Sequence, residues 1–147
     1  MTSSDDRVNY ARVDRVLDHD VDRVWEIAGT FGSIERWVDG VTACAVDGAG
    51  VGAVRHVARG GNIVHERLDG RDPARRELTY TILDPSPMPA TDVVSTLTLE
   101  EAGPGKTRLV WNSSAAQLSV APDVLGQRIE RFYSDSIDGL ERLLSGA

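Results

Sequence analysis

Two oppositely charged residues, Arg55 and Glu66, stand in neighbouring β-branched runs separated by a Gly60-Gly61 turn. Such runs read as the arms of a hairpin, and antiparallel pairing across it brings the two side chains near one another. Period-two alternation puts Glu66 on the same face as Val64 and Leu68, and Arg55 on the same face as Ala53 and Val57. Both charges keep apolar company, which predicts an ion pair inside a cavity wall. A carboxylate in such a place can serve as general acid or base. The permanently charged guanidinium suits an enolate, a carboxylate or another oxyanion. Tyr80, in a later strand-like run, offers a hydrogen bond to a ligand carbonyl. The competing reading is a cross-strand salt bridge that only fixes register or stays exposed.

Other reactive residue types point nowhere as specific. His56 and His65 alternate to the face opposite Arg55 and Glu66, and His19 lies in a polar stretch, so all three are expected at the surface or an edge. With a single cysteine, Cys44, there is no internal disulfide and no thiolate cluster; neither a metal nor a cofactor is implied. Cys44 itself reads as a small buried hydrophobe within Val41–Val46. Gly48-Ala49-Gly50-Val51-Gly52 contains a G-x-G, but strands flank it and no helix follows to receive a pyrophosphate. There is no G-x-S-x-G elbow for acyl transfer.

The elements that must position the pair are legible from periodicity. A polar tail, residues 1–9, precedes a first strand at Arg12–Leu17. Asp18 or Asp20 then offers an N-cap to a helix carrying Val24, Trp25, Ile27, Ala28 and Phe31, broken by Gly29 and Gly32 before a short turn at Ile34–Trp37. Six strands are expected near 41–46, 52–58, 62–69, 76–83, 93–99 and 108–113, punctuated by glycine and proline. Pro122 opens a final helix of about 20 residues, roughly 30 Å long, with Leu125, Ile129, Phe132, Tyr133, Ile137, Leu140 and Leu144 on one stripe. Ile129, Phe132, Tyr133 and Ser136 are the positions on it expected to face a cavity. Val57, Val64 and Leu68 belong to the opposing wall, and Trp111 is placed to cover a flat ligand. Trp25 is expected in the core.

Composition sets the class. The 147 residues suffice for one domain, here residues 10–147, burying roughly 68–70% of the unfolded surface. A net charge of −7, from 23 acidic against 16 basic residues, argues against nucleic acid as a partner. No run approaches the ~18 apolar residues of a membrane span, and Met1–Tyr10 lacks the apolar stretch of a secretion signal, so a cytoplasmic protein is expected. The element order is that of an α+β domain.

Several segments carry a resemblance: Val24-Trp25-Glu26-Ile27, Phe31 to Trp37, Gly52-Ala53-Val54-Arg55, Glu66-Arg67-Leu68, Leu78-Thr79-Tyr80, Pro87-Met88-Pro89 and Thr107 to Trp111. With the element order, they resemble the polyketide cyclase/dehydrase branch of the START and birch-pollen-allergen superfamily, from about Ala11 to Leu144. The resemblance implies a helix-grip fold, in which a seven-stranded antiparallel sheet curls around a long C-terminal helix and leaves an internal cavity. Within the superfamily, lachrymatory factor synthase has an arginine, a glutamate and a tyrosine that Arg55, Glu66 and Tyr80 match. Val93 stands where its second pocket tyrosine would be. The resemblance implies a small hydrophobic, polyketide-like ligand. It also implies cyclisation, dehydration or isomerisation by Glu66 and Arg55, with Tyr80 and Trp111 orienting the substrate. A non-catalytic carrier or sensor, with the 60–61 turn and the 84–90 loop as mouth gates, is the alternative. A filled interaction domain is a third reading, and the chain is expected as a monomer or homodimer.

Overall fold

The structure, a computed structural model, describes residues 6–146. Of the expected tail over residues 1–9, residues 1–5 lie outside the described residues, and Val8 and Asn9 are in a strand. Strand β1 (Val8–Leu17) starts earlier than the expected Arg12. Val8 and Asn9 are paired with Ala115 and Ser114, and Arg7 donates to Ser114 Oγ at 2.9 Å while meeting Asp92 at 2.7 Å. Partners more than eighty residues away hold this start in place, and the polar composition of the segment hid them.

Helix α1 (Val21–Ala28) is capped by Asp20, whose carboxylate accepts the Asp22 N–H at 3.1 Å. A 3₁₀ turn at Ile34–Arg36 follows. Then come β2 (Val41–Asp47), β3 (Val54–Arg59), β4 (Asn62–Asp72), β5 (Glu77–Ile82), β6 (Ala90–Thr91), β7 (Val93–Glu101), β8 (Thr107–Ala115), β9 (Gln117–Leu118) and helix α2 (Pro122–Leu144). Seven strands form one antiparallel sheet in the order β1-β8-β7-β5-β4-β3-β2, with β1 and β2 at its unjoined edges. The fold is therefore an α+β helix-grip, with the sheet open and not closed into a barrel. A two-stranded ribbon, β6 with β9, ties the end of the proline-rich loop to the segment before α2. This ribbon was not foreseen, because two-residue strands carry no periodicity.

Register breaks between Val41 and Ala43, between Leu68 and Gly70, and between Asn9 and Ala11 mark bulges, which bend a sheet and increase its twist. Alternation then divides the faces. In β8, Leu109, Trp111, Ser113 and Ala115 are buried, while the residues between them are partly exposed. Against the buried face lies α2, with Leu125, Ile137 and Leu140 fully buried, each worth ~1.5–3 kcal/mol of apolar burial.

Two glycines set how close α2 comes. A Cβ on Gly126 would stand 2.2 Å from the Tyr10 carbonyl oxygen, and one on Gly139 would stand 2.3 Å from the Trp37 carbonyl oxygen. Both obstacles are backbone, so neither can rotate away. Alanine at either site gains about 1 kcal/mol of helix propensity, but overpacking costs about 1–3 kcal/mol or more. Gly126→Ala and Gly139→Ala are each expected to lower stability by about 1–2 kcal/mol net in urea unfolding; a stabilised Gly126→Ala variant would contradict the close approach.

Candidate functional site

The β3–β4 register places Arg55 opposite Glu66, and Arg55 Nε donates to Glu66 Oε1 at 2.7 Å. The side chains are 6% and 13% exposed respectively, so the carboxylate lies nearer solvent and the guanidinium behind it. Arg55 Nη1 also donates to the Phe31 carbonyl at 2.8 Å. Its guanidinium carbon lies 4.4 Å from the Phe31 ring centroid and 4.6 Å from that of Tyr80. Two aromatic faces, a carboxylate and a carbonyl thus replace the water this cation lost. Phe31 arrives here because α1 ends at Gly29 and the chain turns toward the sheet.

The next inner row runs Leu68, Tyr80, Ser95, Ser113 and Ala11, each paired with the one before across successive strands. It carries a line of hydroxyls. Ser95 Oγ lies 3.2 Å from both Ser113 Oγ and Tyr133 Oη, and Tyr10 Oη bonds to Ser113. Trp111 Nε1 donates to Tyr80 Oη at 3.2 Å, and the Trp111 indole stacks on Tyr133 with centroids 3.9 Å apart and planes 9° apart. Among the described residues, no buried side-chain nitrogen or oxygen lacks a hydrogen-bond partner.

Burial pushes the Tyr80 phenol up to about 12, with the Glu66 charge adding to the effect and Arg55, Trp111 and Ser95 opposing it. Burial likewise raises Tyr133 well above 10, and it raises Tyr10 against the opposing bond from Ser113. All three are neutral phenols near pH 7 and can donate hydrogen bonds inside the fold.

The structure brings Arg55, Glu66, Tyr80, Trp111 and Tyr133 into one continuous inner surface. Val57, Leu68 and Val93 are buried on the same wall, and Val64 is half-buried beside Val57. Ile129 and Phe132 are partly buried; the Phe132 ring lies 4.4 Å from the Arg59 guanidinium carbon, at the margin of the sheet. Ser136 is buried, but its hydroxyl donates to the Phe132 carbonyl at 2.8 Å and accepts the Asp39 N–H at 3.0 Å. It fastens the 37–40 turn to α2. Trp25 is only partly buried, under the Arg71 guanidinium at 4.9 Å, and Cys44 is half-buried because the edge strand β2 is covered on one side alone.

Tyr10, Ser95 and Ser113 were missed. Ser95 and Ser113 each sit two residues from a large apolar residue of the buried parity, Val93 and Trp111, and hydroxyls at that parity were the available signal. Tyr10 went unnoticed because it adjoins the polar start of the chain. A cleft of about 370 Å³ between the Glu35–Val41 segment and the end of α2 does not include the Arg55–Glu66 pair in its lining.

The family described as polyketide cyclase / dehydrase and lipid transport matches residues 11–145. The chain belongs to that family. Its fold is shared by a protein of Bacillus thuringiensis described as putative and uncharacterised, at 23% identity and TM-score 0.82 over 91% of this chain and 97% of that one. It is shared too by the protein XoxI from Bacillus cereus, at 23% identity and TM-score 0.80 over 91% and 95% of the two chains. A Thermobifida fusca structure determined in solution is 25% identical, with TM-score 0.74 over 95% and 93%. No curated protein matches the sequence. That family description suggests binding of a hydrophobic ligand, and no helix among the described residues is long and apolar enough to cross a membrane.

Two measurements test this arrangement. Arg55→Met leaves Glu66 without its guanidinium and is expected to cost about 3 kcal/mol. Arg55→Met with Glu66→Met should cost less than the sum of the single variants in a double-mutant cycle; strict additivity would mean the pair is not coupled. Alkaline titration is the second. A folded-state pKa raised from 10 to about 12 at Tyr80 keeps its contribution below pH 10 and loses it as pH rises toward 12. Stability should fall by roughly 3 kcal/mol across that window, less in Tyr80→Phe, with tyrosinate absorbance of the buried phenols appearing only on unfolding.

Proposed function

We propose that the protein binds a small, largely apolar, polyketide-like molecule between the sheet and α2 and moves a proton on it, in a cyclisation, dehydration or isomerisation. The observation that carries this reading is the Arg55–Glu66 pair on the inner face, where the carboxylate is the more exposed partner. In this reading Glu66 takes or gives the proton. Arg55, held by Phe31 and Tyr80, stabilises the developing enolate or other oxyanion. Tyr80 is a neutral donor suited to a ligand carbonyl, and Trp111, backed by the Tyr133 ring stacked on it, borders the carbon skeleton. Entry is between the 60–61 turn and the 84–90 loop. The protein works as a monomer or homodimer in the cytoplasm and needs no cofactor for this step.

The complete pairing of buried polar atoms favours a second reading, a non-catalytic carrier, because a carrier needs no proton donor or acceptor left over. Native mass spectrometry of the purified protein, followed by denaturing extraction and re-addition of the recovered molecule, separates the two. Conversion of that molecule by the wild type, lowered at least a hundredfold in Glu66→Gln with binding retained, is the expected result. Conversion at full rate by Glu66→Gln would remove Glu66 from the chemistry, and recovery of the molecule unchanged would establish the carrier.

A further inference from the structure

On the opposite face of the same hairpin, His56 and His65 are directly paired across β3 and β4, one register step from Arg55 and Glu66. Their Nδ1 atoms lie 2.7 Å apart, with ring planes at 76°. His56 Nε2 lies 2.7 Å from Asp47 Oδ2, on the neighbouring strand β2. Both rings are partly exposed, and the Asp47 side chain is 81% exposed, so the group is open to ions from solvent.

For neutral rings, one set of proton positions satisfies both contacts. With a carboxylate at Nε2, His56 keeps its proton there and presents the Nδ1 lone pair; His65 donates from its own Nδ1. A carboxylate on the far nitrogen of an imidazole is the arrangement that orients histidine for a metal and raises its basicity. Arg67, the next residue of β4 on this face, is occupied by Asp69 at 2.8 Å, and the chain carries a net charge of −7.

We propose that His56 and His65 form a two-nitrogen site for a divalent transition metal of the imidazole-preferring class, Zn²⁺ or Cu²⁺, with Asp47 as the positioning carboxylate. Two nitrogens on a tetrahedral zinc stand about 3.3 Å apart for Zn–N bonds of ~2.05 Å. A widening of roughly 0.6 Å and a bend of the rings toward solvent accommodates the ion. His65 moves its proton from Nδ1 to Nε2, so both Nδ1 lone pairs reach the metal and a neutral pair releases no net proton. Water fills the other positions, since no group of three or more His, Cys, Asp or Glu among the described residues is placed to hold a metal. The bound ion pins β3 to β4 beside the Arg55–Glu66 pair. The proposal is independent of the ligand chemistry proposed above.

The test is calorimetric titration of the chelator-stripped full chain with Zn²⁺ and with Cu²⁺, with electron paramagnetic resonance of the Cu²⁺ form. One ion per chain is expected, with two imidazole nitrogens coupled to copper. Affinity should fall at least tenfold in His56→Ala and in His65→Ala, and about tenfold in Asp47→Asn. Wild-type binding no tighter than that of the His56→Ala/His65→Ala double variant would overturn the site, as would a wild-type spectrum with a single coupled nitrogen. The copper spectrum needs no variant, so misfolding of a substituted chain cannot imitate either result. His19, the third histidine, is the control: loss of binding in His19→Ala would place the ion elsewhere and overturn the assignment.

Discussion

Everything on the inner face follows from how closely α2 lies against the sheet. Gly126 and Gly139 bring the helix onto the backbone at Tyr10 and Trp37. Among the described residues, each buried side-chain nitrogen and oxygen has a hydrogen-bond partner. Leu125, Ile137 and Leu140 supply the apolar burial that holds the helix there, and the stacked Trp111–Tyr133 pair joins β8 to α2.

The cost of burial falls on Arg55. An arginine at 5% exposure is tolerable only with its charge neutralised and its N–H groups accepted. Glu66, the Phe31 carbonyl and two aromatic faces do this, and they come from three separate parts of the chain: β4, the turn after α1, which supplies both the Phe31 carbonyl and its ring, and β5. A group built at such expense fixes a geometry. The bond from Arg55 Nε also fixes Glu66, whose carboxylate is the more exposed partner of the pair. Buried hydroxyls on β5, β7, β8, β1 and α2 extend this order across the sheet.

The two faces of the β3–β4 hairpin use one register for different chemistry. Arg55 and Glu66 face the helix as an ion pair, while His56 and His65, one step along, face solvent as a nitrogen pair. Alternation guarantees that neither can move to the other face without a one-residue slip, which would expose the arginine and bury the histidines. Coupling between an ion on the outside and the pair on the inside is thus a matter of backbone register.

What the sequence by itself determined was whatever periodicity encodes. Strand alternation put Arg55 and Glu66 each on an apolar face, and the Gly60-Gly61 turn made them neighbours. Spacing of three and four placed α2, and Asp20 and Pro122 marked two helix starts. Contacts distant in the chain were decided only by the tertiary structure: Phe31 over Arg55, Tyr10 against Ser113, Ser136 fastening Asp39, and the early start of β1 on β8. None of these has a local signature, because a hydroxyl or a ring at the buried parity reads the same whether it meets a ligand or another side chain. The separation of α2 from the sheet decides which it meets, and a glycine in a helix does not announce the carbonyl that will pass over it.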